Sequence, residues 1–214
     1  MKYKLIPAFG FNFLTSFYDP ITELIGFGKN FKRKVLKLAK IKDGKSILDI
    51  GCGTGDLILV AKEMHPNSKV VGIDPDKTVL DLAKKKIARA RVFVELKRAY
   101  GEKLPFGNYK FDVVTSVLVL HHLPTKIKIS TLREMYRCLK PNGKVVIADF
   151  GKPKNTLWKI ILFFEKIFDE FFAEGRYIQD NLEGKIPIFM EQVGFKVKAI
   201  NKRYRGVQFL IGTK

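Results

Sequence analysis

The chain of 214 residues reads as one α/β domain with a largely parallel sheet, and three observations predict it. Apolar runs that suit buried strands recur at 46–50, 69–74, 92–96, 111–118 and 144–150. Stretches with helical apolar spacing separate them, at 57–64, 77–90 and 126–139. The first run ends in a glycine-rich turn that leads straight into a helix, the place where open α/β sheets bind nucleotides.

Length and composition support one domain with a full core, and 46% hydrophobic residues exclude disorder. The net charge of +19 suits a polyanion such as RNA, an anionic membrane face or an acidic substrate. It suits equally a solvated lysine-rich surface. The two cysteines, Cys52 and Cys138, show no metal-ligand spacing and no disulfide framework, so a reducing compartment and no metal are expected. Residues 1–17 lack a clean apolar core followed by a cleavage site, and no apolar run reaches the roughly 20 residues that span a bilayer. A cytoplasmic protein is expected, soluble or peripheral to a membrane.

Residues 1–45 form an aromatic entry stretch followed by a basic helix. Phe11, Phe13, Phe17, Tyr18 and Phe27 come first, and a lid is the expected role. Val35, Leu36, Leu38 and Ala39 then alternate with lysines, so the helix lays an apolar stripe on the domain and turns its charges outward.

The stretch from Ser46 to Leu57 organises the rest. Gly51, Gly53 and Gly55 remove the Cβ atoms that would hold a ligand off and point amide donors into a cleft at a helix start. Cys52 and Thr54 lie between them. A dinucleotide fingerprint places a glycine where this chain has Asp56, and Asp49 stands two residues before the first glycine. Carboxylates on either side of the turn would repel a pyrophosphate. They would attract a ligand bearing an ammonium and a sulfonium, and S-adenosylmethionine carries both.

The second strand ends at Asp74, 19 residues after Gly55, the spacing at which an acid meets ribose hydroxyls. In Asp74-Pro75-Asp76 the capping of the next helix falls to Asp76, which leaves Asp74 for the ligand. After the third strand comes Gly101-Glu102-Lys103-Leu104-Pro105-Phe106. The fourth strand, with Ser116 and Val117 near its end, runs on into His121-His122-Leu123-Pro124. An imidazole at a strand end beside the cleft can act as a base or orient a substrate. A histidine in such a place is as often structural, and both readings stand. The turn Lys140-Pro141-Asn142-Gly143 precedes the fifth strand.

Residues 156–172, with Trp158 and Phe168, are apolar well round a helix. Core packing, the roof of an apolar pocket and a membrane interface all suit that composition. A helix around Ile188, a strand to Asn201 and a strand from Gly206 to Thr213 close the chain.

The pattern Asp49-x-Gly51-x-Gly53-x-Gly55 resembles the first motif of the class I S-adenosylmethionine-dependent methyltransferases. Asp74 resembles the acid of their second motif, and residues 139–143 with the following strand resemble the third. Tyr18-Asp19-Pro20 is similar to the entry segment of the ubiquinone/menaquinone-biosynthesis group. The resemblance implies a Rossmann-like, doubly wound sheet of seven strands with the last antiparallel, in a domain over 46–214 with a helical insertion at about 154–176. It implies S-adenosylmethionine held by Asp49, Gly51, Cys52, Gly53, Thr54, Gly55, Asp74, Pro75, Gly101, Glu102, Ser116 and Val117. The family's usual acid beside the adenine aligns with Tyr100, so Glu102, or backbone atoms with Tyr100 packed on the ring, takes that contact. Candidates for a base are His121, His122 and Tyr18. The residues 116–119 lack the Asn/Asp-Pro-Pro-aromatic signature of nucleic-acid amino methylation. A small or lipid-like acceptor, quinone precursors included, is therefore expected. An RNA or protein methyltransferase and a non-catalytic cofactor-binding module are the alternatives.

Overall fold

The computed structural model describes residues 18–152 and 177–214. The first 17 residues and the expected insertion, with Trp158 and Phe168, lie outside the described residues, as does the side chain of Tyr18. Two N-terminal helices, α1 (Tyr18–Leu24) and α2 (Lys29–Ala39), lead into β1 (Ser46–Ile50), α3 (Asp56–Met64), β2 (Lys69–Asp74), α4 (Lys77–Ala90) and β3 (Glu95–Arg98). Then follow β4 (Phe111–Val117), a 3-10 turn (Leu120–His122), α5 (Thr125–Cys138) and β5 (Leu139–Phe150). The end is α6 (Gln179–Leu182), α7 (Ile186–Val193), β6 (Lys196–Tyr204) and β7 (Val207–Thr213).

These strands form one seven-stranded sheet in the order β3-β2-β1-β4-β5-β7-β6. The chain steps outward from β1 to β3, then returns to β4 on the other side of β1, so the order reverses between β1 and β4. That reversal opens a crevice at the carboxyl ends of the two strands. Strands β1 to β5 are parallel, whereas β7 runs antiparallel to both β5 and β6. The cause is local: Arg205 and Gly206 both take positive φ, 47° and 78°, and close a tight hairpin between β6 and β7.

Two apolar layers cover the sheet. Side chains alternate along β1, so Ile47 faces the layer of α2, α3 and α4 while Leu48 and Ile50 face that of α5 and α7. In α2 the buried positions Phe31, Lys32, Val35, Leu36 and Ala39 follow the helical period, and Phe31 packs on Phe209 of β7. The expected cap is present, with Asp76 Oδ1 accepting from the Thr78 amide at 2.7 Å.

Two expectations on strand limits need correction. The third strand is Glu95–Arg98, later than 92–96, because the parallel register runs from Val71 opposite Glu95 to Asp74 opposite Arg98. The turn at 140–143 is part of an extended β5, where Asn142 takes φ 61° and the pairing with β4 shifts between Phe111 and Val113.

Candidate active site

The amides of Gly51 and Cys52 both donate to the Ile73 carbonyl at 2.9 Å, which ties the turn after β1 to the end of β2. Gly51 takes φ 70°, and a Cβ there would stand 2.4 Å from Val119 Cγ2. At Gly53 (φ 52°) a Cβ would meet nothing within 4 Å, so this backbone is bare toward the cleft. Gly55 has a different task. It starts α3 in the left-handed region and lets α4 approach, a Cβ lying 3.1 Å from that of Ala83.

A cleft of about 460 Å³, open to solvent, lies over this turn. Asp49, Gly51, Cys52, Gly53, Thr54, Asp56 and Leu57 line one side, Val117 and Leu118 another, and Thr22, Phe27 and Lys32 close it from the N-terminal helices. Of the expected ligand-binding residues, six therefore share one cavity: Asp49, Gly51, Cys52, Gly53, Thr54 and Val117. Gly55, Asp74, Pro75, Gly101, Glu102 and Ser116 are not among its lining residues. Asp74 joins it through Gly53, whose amide donates to Asp74 Oδ2 at 3.0 Å. Ser116 lies opposite Ile50, on the face where Gly101 approaches Thr131 and Ile50. Its fully buried hydroxyl has no partner among the described residues.

Asp49 is 3% exposed and accepts from Thr115 Oγ1 at 2.8 Å. Burial pushes its carboxyl up to about 7, the Asp74 charge adds to that, and Thr115 and Lys32 oppose it. Burial likewise lifts Asp74 to about 6, against the amides of Asp76 and Gly53 that donate to it. Two carboxyls whose charged forms burial penalises make a site that gains by receiving a cation. Asp56 lines the cleft as expected, but its charge is already answered. Lys32 Nζ reaches Asp56 Oδ2 at 2.9 Å and Lys86 binds its Oδ1, so Asp56 is doubly compensated. The acid whose charge bears on Asp49 is Asp74.

At the end of β4, the buried His121 pairs through Nδ1 with Asp149 Oδ1 at 2.7 Å. Asp149 Oδ2 also accepts from the amides of Val119 (3.1 Å) and Leu120 (2.7 Å), and Oδ1 accepts from that of Phe150 (2.8 Å). Burial and the neighbouring His122 hold His121 below the usual imidazole range. The neutral ring then donates Nδ1–H to an ionised Asp149 and keeps a lone pair on Nε2. His122 is exposed and its ring lies 3.9 Å from that of His121. Neither histidine lines the cleft, but Val119, in the same turn, packs over Gly51. Asp149 was missed in the sequence because an acid at the end of a buried strand carries no local motif. An acid inside the apolar run 145–150 was the available signal.

Residues 47–143 match the family model described as a methyltransferase domain. A demethylmenaquinone methyltransferase of Lactobacillus johnsonii is 38% identical over 148 residues, 67% of this chain and 60% of that protein. One from Listeria monocytogenes is 32% identical over 167 residues, 74% of this chain and 70% of that protein. The chain is a class I S-adenosylmethionine-dependent methyltransferase. Within that class it stands near the quinone-biosynthesis group. A methyltransferase of Aquifex aeolicus shares its fold, with TM-score 0.72 at 19% identity over 95% of this chain and 98% of the other. So does a phosphoethanolamine N-methyltransferase of Haemonchus contortus in complex with S-adenosyl-L-methionine, with TM-score 0.72 at 25% identity over 90% of this chain and 44% of that one. The methyltransferase cleft fits its cofactor: bare backbone at Gly53 leaves room, and the buried pair of acids asks for positive charge. Among the described residues no helix is long and apolar enough to cross a membrane, and no group of acids, histidines and cysteines is placed to hold a metal.

Proposed function

We propose that this methyltransferase acts on a quinone-like ring, as the names of its demethylmenaquinone-methylating relatives suggest. The observation that carries the cofactor half of the reading is the buried Asp49 with the Asp74 charge acting on it, two acids that burial raises above the usual carboxylate range. When bound, S-adenosylmethionine supplies an electrophilic methyl group on sulfur. Asp49 then takes the ammonium, the backbone at Gly51 and Gly53 lies along the methionine part, and Asp74 takes the ribose hydroxyls. Gly101 and Glu102, at the end of β3, serve the adenine.

Methyl displacement at sulfur needs little covalent help, so the chain's work is alignment and water exclusion. Val117, Leu118 and Phe27 give the cleft an apolar wall. A hydroxylated ring as acceptor must lose a proton, and His121 with a lone pair on Nε2 is the base we assign, with His122 and Tyr18 the other candidates. The basic face of α2 suits an anionic membrane surface, where such a ring is dissolved.

The test is formation of S-adenosylhomocysteine by the purified protein with a reduced, prenylated naphthoquinone as acceptor. Turnover only with a short amine or phosphoamine would overturn the acceptor, and no binding of the cofactor would overturn the whole reading. Flotation with anionic vesicles and a gel shift with RNA, each across a salt series, separate the membrane role from the polyanion alternative.

A further inference from the structure

Among the described residues that line the cleft, Lys32 is the only cation. It projects from α2 with 11% of its side chain exposed, and Asp49 and Asp56 line the same cavity. Elsewhere in α2, Lys29 and Lys37 are exposed and Lys34 lies over the Tyr204 and Phe209 rings. The obvious explanation is compensation of Asp56, but Asp56 has a second cation: Lys86 binds its other oxygen and also donates to Thr54 Oγ1 at 3.3 Å. One lysine is enough to satisfy one carboxylate. Lys32 can therefore turn from Asp56 without leaving a bare buried charge behind.

The cleft also has a problem that its acids create. The ligand assigned to it is a zwitterion at its methionine end, with a carboxylate on the same carbon as the ammonium. Asp49 favours the ammonium, and a carboxylate on the same carbon is repelled by the Asp49 charge. Something cationic has to meet it.

We propose that Lys32 receives the carboxylate of the cofactor's methionine end, shared out from an Asp56 that Lys86 continues to hold. The proposal rests on the cofactor reading above and names the part of the ligand that this helix recognises. In consequence α2, which lies outside the matched family segment 47–143, supplies half of the amino-acid specificity. Asp49 reads the ammonium and Lys32 the carboxylate, so the two recognise an α-amino acid as a unit.

The test is calorimetric titration of the full chain with S-adenosylmethionine and with its decarboxylated form, which keeps the sulfonium, the ammonium and the adenosine. The wild type should bind the first about 10–100-fold more tightly, the usual range for losing a hydrogen bond between charged groups. Lys32→Met should bind the two with similar affinity, its loss falling almost wholly on the carboxylated ligand. A Lys32→Met protein that keeps the wild-type preference overturns the proposal. So does a wild type with no preference, a result that needs no variant to fold. Lys32→Gln, which keeps a polar head to lie against Asp56, repeats the test if the methionine variant unfolds. Failure of the wild type to bind either compound sinks the cofactor reading itself, which separates that failure from an error about Lys32.

Discussion

The amide of Gly53 donates to Asp74 across 3.0 Å, so the acid at the end of β2 holds the loop at the end of β1 before any ligand arrives. The other oxygen of Asp74 takes the Asp76 amide at 2.9 Å, which fixes the carboxylate between loop and helix. Asp74→Ala should weaken binding of S-adenosylhomocysteine by about 1–3 kcal/mol, for loss of hydrogen bonds to a charged group. Titration calorimetry measures it, and an unchanged affinity removes Asp74 from the ligand.

Asp49 near 7 and Asp74 near 6 make cofactor affinity depend on pH. A cationic ligand prefers both acids ionised. Affinity should therefore be greatest above pH 7, fall by up to tenfold per pH unit as Asp49 gains its proton, and fall more steeply below 6. A flat profile from pH 5.5 to 8 contradicts the assignment.

The same burial makes Asp49 a cost to the empty fold. Its folded carboxyl, near 7, lies above the unfolded value of 3.8, so between about 4 and 7 the native state binds the extra proton and stability falls as pH rises. Asp49→Asn keeps an acceptor for Thr115 and carries no charge. At pH 8 it should raise the stability of the cofactor-free protein by about 1–3 kcal/mol, with the gain fading toward pH 4, while binding is lost. Thermal melts at the two pH values check the sign.

His121 and Asp149 should separate catalysis from binding. His121→Asn should lower kcat by roughly 10²–10⁴-fold, the range for losing a general base, and leave the cofactor Kd nearly unchanged. Asp149→Asn should shift the pH profile of kcat, because Asn no longer fixes which imidazole nitrogen carries the proton. If both variants turn over at the wild-type rate, the pair is structural.

Lys128 is fully buried, donates to the Tyr177 carbonyl, and stands 3.2 Å from Asp180, which also accepts from Thr125 at 2.6 Å. Lys128→Met leaves the mostly buried Asp180 with only the exposed Lys185, 3.7 Å away, as a cation, and should cost about 3 kcal/mol. Lys128→Met with Asp180→Asn should recover much of that in a denaturant melt, since no unpaired charge remains.

Much of this was legible in the residues because local chemistry dictated it. The glycine turn, the cap at Asp76 and the period of α2 each follow from neighbours in the chain. What escaped was set by distance in sequence. The two lysines on Asp56 come from positions 24 residues before it and 30 after it, and only packing reveals that its charge is already answered. Asp149 binds a histidine 28 residues earlier in the chain, across parallel strands, where no pattern joins them. The third strand was placed too early because Val92 and Val94 look like strand, whereas pairing with β2 decided its limits.

The Phe150 carbonyl accepts from both Asn181 at 3.3 Å and Gln208 at 3.2 Å, Arg203 binds the Lys152 carbonyl, and Lys128 binds that of Tyr177. The end of β5 and Tyr177 are thus each held by hydrogen bonds from the sheet and from the helices packed on it. Both anchors lie within the described fold, one on each side of positions 153–176. The register between β5 and β7, from Lys144 opposite Thr213 to Phe150 opposite Val207, is set by its own ladder, so substitutions between the two anchors leave it in place.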